Sequence, residues 1–257
     1  MALRYGADLN TVSTVTRTAF IDNMDPFTVL LWLYPTTLGA QNRLFFKGAT
    51  HKFELSGTTG DVLFERGRAT VSTAYETNSA PLVINTHCFL AIALNSGASA
   101  GEVVNIYSGR VGLPAVECTY GTATDGSGAL STDAATNWAW FNRTALGDAY
   151  QGHASVGMVI GRQLTINEIR EWQFNPGQRP GQKFLHQFGD DGATRARDLT
   201  GNGFTAVHSA NLTVMRSVDL PARPRRKKWL DVPGAAGGVF LRREFTMTEA
   251  VRRAAFW

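Results

Sequence analysis

Cysteine is nearly absent, with two in 257 residues: Cys88 inside an apolar run and Cys118 in a short strand-like piece. At most one bridge could form, so this is no disulfide-stapled scaffold. Met1–Asp8 carries no apolar leader core, and folding in a reducing cytosol without Sec export is the expectation. Both thiols then read as buried small hydrophobes, and the sequons at Asn142 and Asn211 as coincidental. No stretch approaches the about 18 apolar residues needed to cross a bilayer, which argues against a membrane partner.

Signatures of catalysis are equally sparse. The five histidines, at 51, 87, 153, 186 and 208, show no His-x-His or His-Glu-x-x-His spacing that would bring two onto one metal. A Gly-rich phosphate loop between a strand and a helix is missing, which argues against a nucleotide cofactor. Gly97-Ala-Ser-Ala-Gly101 matches the nucleophile-elbow pattern, but strand-like Glu102-Val-Val-Asn-Ile-Tyr107 follows where a helix is required, so Ser99 reads as a hairpin-loop serine. Asp61 and Glu65 share a strand face, yet four strand residues span about 13 Å, beyond the ~5–9.5 Å that glycoside hydrolysis asks of its two carboxyl groups. A non-enzyme without cofactor is expected. No metal is expected either; a calcium site is the alternative hardest to dismiss, because Asp190, Asp191, Asp198 and Asn202 gather hard oxygens in loops, although Asp and Asn beside Gly are also ordinary turn formers.

What is abundant is glycine, at 26 residues, and short bursts of β-branched and aromatic residues. Phe27-Thr-Val-Leu-Leu-Trp-Leu-Tyr34 is apolar on both faces and closed by Pro35, so it reads as a strand that is central in a stack or carries a second apolar surface in need of cover. Cys88–Leu94 is a second such strand. Between them lie five-residue strand patterns at 43–47, 51–55 and 61–65, separated by Gly-rich turns, a spacing that suits a sandwich and not a βαβ unit. Gly121–Asn137 reads as a long structureless loop, Ala154–Ile160 as a last buried strand, and Leu164–Trp172 as a short helix with Thr165 and Glu168 as its capping box.

Three of these stretches, Phe27–Pro35, Val103–Arg110 and Gly152…Val159-Ile-Gly-Arg-Gln-Leu-Thr-Ile-Asn-Glu-Ile169, together with Asp198-Leu-Thr-Gly-Asn-Gly203, resemble the laminin-G-like, concanavalin-A-like jelly-roll domains. The resemblance spans roughly residues 1–212. It implies an all-β, two-sheet antiparallel jelly-roll sandwich with one short helix. It also brings three properties found among relatives: calcium binding, carbohydrate binding and glucan hydrolysis, the last by a Glu-x-Asp-x-Glu strand that is missing here. For glycan binding the available aromatic set beside the long loop is Trp138, Trp140, Phe141 and Tyr150.

Residues 213–257 read as a C-terminal arm. From 221 onward it holds nine basic residues against three acidic ones, net +6, which leaves residues 1–220 with 16 against 18, net −2. Arg225, Arg226, Lys227 and Lys228 run into Trp229, Phe240, Leu241, Phe245, Phe256 and Trp257, more large apolar groups than a solvated linker tolerates. Thr246–Glu249 is a capping box, and Met247, Ala250, Val251, Ala254 and Ala255 form one stripe of a short amphipathic helix. An apolar arm needs a receiving surface. The expectation is therefore a structural or decoration protein of a virion, a phage capsid or tail component assembled in the host cytoplasm and anchored by its arm to other virion proteins or to copies of itself. Direct nucleic-acid contact is not expected, since no reading module accompanies the basic run. The competing expectation is a carbohydrate-binding module for host-surface glycans; a glucan hydrolase comes third.

Overall fold

The computed structural model describes residues 2–5, 12–16, 22–39, 42–48, 51–95, 103–134, 136–142, 148–188, 194–209 and 213–215. In chain order the elements are β1 Ala2–Tyr5, β2 Ser13–Val15, β3 Phe27–Pro35, β4 Arg43–Phe46, β5 His51–Leu55, β6 Val62–Arg66, β7 Thr73–Thr77, β8 Cys88–Leu94 and β9 Val104–Arg110. There follow β10 Leu113–Glu117, β11 Tyr120–Thr124, β12 Trp138–Trp140, β13 Gly152–Ile160, α1 Ile166–Phe174, β14 Gln182–Gln187, β15 Arg195–Asp198, β16 Ala206–His208 and β17 Thr213–Met215. All strand pairings named above and below are antiparallel.

Two layers result. The first runs β17, β1, β13, β3, β8, β9, β10, with β14 beside the C-terminal part of β13. The second runs β16, β2, β12, β4, β5, β6, β7, β11. Strand β15 pairs with β14 of one layer and β16 of the other, joining the two at that side. This is the expected all-β jelly-roll sandwich.

The two-sided apolar strands have a direct explanation. Phe27, Val29, Leu31 and Leu33 of β3, with Cys88, Leu90, Ile92 and Leu94 of β8, face the space between the layers, where they meet Phe45, Phe53, Leu55, Val62 and Phe64 of the second. Their alternates, Leu30 and Trp32 with Phe89, Ala91 and Ala93, face outward and are covered by Ile169 and Trp172 of α1. The Phe89 and Trp172 rings lie 6.0 Å apart. Helix α1 is thus the lid of a second small core. Thr165 caps it as the capping-box spacing predicts, its hydroxyl accepting from the Glu168 N–H while the Glu168 carboxylate accepts from the Thr165 N–H at 2.9 Å.

The helix also closes the edge of the first layer. Gln173, fully buried, receives the Ala115 N–H at 2.7 Å and donates to the carbonyls of Leu113 at 2.8 Å and Arg110 at 3.1 Å. Arg170 Nε donates to Ala115 O at 2.8 Å. An otherwise open edge strand is satisfied by side chains, which blocks pairing with a foreign strand there. The approach requires Gly109, since a Cβ at that position would lie 2.5 Å from Gln173 Nε2.

Two sequence expectations are corrected. Residues 121–137 are not structureless: 120–124 form β11, and bridges Val71↔Ser127 and Arg68↔Leu130 lay the next stretch along the turn after β6. The physical reason is composition, because Gly, Ser and Thr at an edge need little burial. Nor is β13 the last strand, for β14 to β17 follow. Cys88 and Cys118 are free thiols, both buried, and burial pushes both upward in pKa.

Candidate functional site

Trp138, Trp140, Phe141 and Tyr150 do come together, but inside the protein. All four are buried between the layers, Trp138 stacked on Phe45 at 4.7 Å and Phe141 against Tyr150 at 5.6 Å. Burial also pushes the Tyr150 phenol well above its usual range. They are core, and the exposed aromatic platform expected from them is not there. The physical reason is β12's position: paired with β2 on one side and β4 on the other, it is interior to the second layer, so Trp138 and Trp140 share the inward face and Ala139 takes the outer one.

The oxygen-rich loops are likewise occupied by the fold. The Asp198 carboxylate accepts from the backbone N–H groups of Leu185 at 3.1 Å, Thr200 at 3.0 Å and Phe204 at 3.0 Å, and from the Thr200 hydroxyl at 2.8 Å. Asn202 turns its amide nitrogen to the Lys183 carbonyl at 2.9 Å. Both residues organise the turn after β15. Asp190 and Asp191 lie outside the described residues, among which no group of three or more His, Cys, Asp or Glu side chains gathers as metal ligands. Asp61 is taken up by the Ala80 N–H at 2.8 Å and by the hydroxyls of Thr59 and Thr77. The arm residues Arg225, Arg226, Lys227, Lys228, Trp229, Phe240, Leu241, Phe245, Phe256 and Trp257, the terminal helix, and Ser99 fall outside the described residues.

A buried ion cluster at one end of the second layer is also structural. Lys47, buried after β4, contacts Asp22 at 2.9 Å and Asp133 at 3.0 Å and donates to the Asp133 carbonyl at 3.1 Å. Arg66 and Arg68 share Asp25, and Arg68 also holds the Gly128 carbonyl at 3.0 Å. These contacts pin the turn before β3 and the 125–136 stretch onto the strand ends.

What remains is the outer face of the second layer. The first layer's outer face has α1 over it; among the described residues no helix and no third apolar cluster covers the second. The register defines its surface. One row crosses the layer as Thr14, Ala139, Phe46, Lys52, Glu65, Ala74 and Thr124, and a second as Arg43, Glu54, Leu63, Glu76 and Thr122. Phe46 and Leu63 are half-buried, and the charges are set low: the side chains of Glu54, Lys52 and Glu65 are 4%, 20% and 37% exposed. Lys52 Nζ lies 3.0 Å from Glu54 and 2.5 Å from Glu65, and Arg43 pairs with Glu54 and, at 3.5 Å, with Asp148.

Reading one strand at a time hides this carboxylate pair, because Glu54 and Glu65 sit on neighbouring strands. Each is bound to the same ammonium, so at most 5.5 Å separates the two bound oxygens. The signal that could have found them is the Lys52-Phe-Glu54 alternation placed opposite Leu63-Phe-Glu65 in a hairpin, which stacks unlike charges across strands.

No family model matches the chain, and no curated protein matches it. Among solved structures it is similar to a protein of Bacteroides ovatus provisionally described as carbohydrate binding, at 12% identity and a TM-score of 0.60, over 84% of this chain and 60% of that one. It is also similar to the heptameric SAP-like pentraxin of Limulus polyphemus, at 11% identity and a TM-score of 0.42, over 67% of this chain and 85% of that one. This chain thus spans about 60% of the length of the Bacteroides protein. At 12% identity the likeness shows the fold alone: an all-β jelly-roll sandwich.

Proposed function

We propose that the chain is a non-catalytic carbohydrate-binding module whose ligand surface is the outer face of the second layer, over β4, β5, β6 and β7. The observation that carries this is the combination of half-buried Phe46 and Leu63 with Lys52 and Glu65 beside them, held in ion pairs that the buried Glu54 and Arg43 complete. Sugars present an apolar C–H face and a rim of hydroxyls. They are held where an apolar floor lies next to polar groups that already stand in position. The likeness to a protein described as carbohydrate binding supports the same reading.

The Glu54 and Glu65 spacing falls near the ~5 Å of retaining glycosidases, but that chemistry needs one carboxyl group protonated as the acid. Both carboxylates are already taken up in ion pairs with Lys52, which supports binding without hydrolysis. Screening against an array of neutral and charged glycans tests the proposal: wild-type chain binds a subset, and Phe46→Ala abolishes the signal while the melting curve stays cooperative. Binding unaffected by Phe46→Ala would overturn it.

Attachment to a larger assembly, a virion included, through residues 221–257 is a second reading. Its support is the separation of charge, +6 in that segment against −2 in the rest, and its density of large apolar groups. Removing 221–257 and measuring assembly size by light scattering tests it; an unchanged assembly rules it out.

A further inference from the structure

Resting on the glycan-binding reading, we infer that the ligand carries free amino groups: a hexosamine polymer, not a uronic or sulfated one. Over β4, β5, β6 and β7 the described charges are Arg43 and Lys52 against Glu54, Glu65, Glu76 and the adjoining Asp148, with Arg43 and Glu54 buried beneath the surface that Lys52, Glu65 and Glu76 present. Both cations are engaged, Arg43 with Glu54 and Asp148, Lys52 with Glu54 and Glu65. Among the described residues of β4, β5, β6 and β7 no further positive group faces this surface to meet an acidic sugar; the exposed Arg195 lies at the far end of the row, beyond β16.

The anionic side is localised. On β6 and β7, Glu65 stands opposite Ala74 and Leu63 opposite Glu76, so the two carboxylates occupy one diagonal of a four-residue square and the two apolar side chains the other. Diagonal neighbours on adjacent strands lie about 7–8 Å apart, so one ammonium fits between two such carboxylates. Ala74 is small and leaves a notch there, and Leu63 is half-buried beside it. On β11, Thr122 stands opposite Glu76 and Thr124 opposite Ala74, placing two hydroxyls along the next strand. An amino sugar laid over Leu63 and Ala74 would direct its ammonium between Glu65 and Glu76 and its hydroxyls toward the threonines. A uronic sugar there meets only like charge and loses affinity.

Titration calorimetry on the full chain tests this with four probes: glucosamine hexamer, its N-acetylated counterpart, oligogalacturonate and a neutral glucan hexamer, at a pH below the pKa of the sugar amine. The glucosamine hexamer is expected to bind tightest, by a factor that shrinks with salt. Glu65→Gln with Glu76→Gln is expected to cost it roughly three- to tenfold, the scale of two exposed ion pairs, with the neutral probe unchanged. Equal binding of the aminated and acetylated hexamers, or oligogalacturonate binding as tightly, overturns the inference while leaving the glycan-binding reading standing if Phe46→Ala still abolishes binding. If none of the probes binds and the glycan array is also blank, both fall.

Discussion

The Trp140 indole N–H donates to Nδ1 of His186 at 2.9 Å, and the imidazole's other nitrogen contacts the Phe204 carbonyl at 2.6 Å. Neutral His186 is therefore fully satisfied, and a second ring proton would be driven against the indole. Burial is the main reason its pKa is lowered to about 4; burial also lowers His208 to about 4, its ring bound to Ser13 at 2.6 Å.

Stability should therefore depend on pH in one direction. Both folded pKa values lie below the ordinary 6.5, so between pH 6.5 and about 4 the unfolded chain binds protons that the folded chain refuses. The stabilisation is complete above pH 6.5 and lost as pH falls toward 4, on the order of 3 kcal/mol for each histidine. Urea unfolding at pH 7 and pH 4.5 measures it, and His186→Gln should flatten the dependence. Glu168, lowered to about 2 chiefly by its hydrogen bond to Arg162, acts in a more acidic window, where its contribution is lost as pH falls from 4.5 to about 2.

Lys47→Met should be among the most damaging single changes. It leaves Asp22 and Asp133 without the ammonium that both bind, and stranded buried charges of this kind cost about 3–5 kcal/mol. Replacing Asp22 and Asp133 by Asn in the same chain should recover part of the loss. Thermal unfolding of the single and triple variants gives the comparison.

Gln173→Leu removes three hydrogen bonds to the hairpin formed by β9 and β10. Each stranded backbone group costs about 1–3 kcal/mol, and the freed edge of β10 should promote self-association. Gly109→Ala should act in the same direction by displacing Gln173. Light scattering against protein concentration reads the second effect separately from the loss of stability.

Trp172→Ala should cost about 3–5 kcal/mol by opening the apolar outer face of the first layer to water. Fluorescence-detected denaturation measures the loss.

The sequence made the layers legible because the signal was periodic. Alternation at 27–34 and 88–94 told both faces apart residue by residue, and the unexplained second face of β3 required a cover that α1 supplies. Thr165 and Glu168 marked that helix by capping chemistry alone. The candidate site was hidden for the opposite reason. Glu54 and Glu65 come from different strands, and only register sets them around one lysine, whereas Trp138, Trp140, Phe141 and Tyr150 advertised themselves by size and belong to the core. The ion cluster of Lys47, Asp22 and Asp133 joins residues 86 to 111 positions apart or 25 apart, with no local pattern to announce it.

The central claim is that ligand is held on the outer face of the second layer, and chemical-shift mapping tests it most directly. Titrating labelled chain with the glycan selected on the array should move backbone amides of β4, β5, β6 and β7, centred on Phe46, Lys52, Leu63 and Glu65, and leave α1 and β10 unmoved. Shifts centred on β9, β10 or the turn after β15, with β5 and β6 silent, would contradict the account.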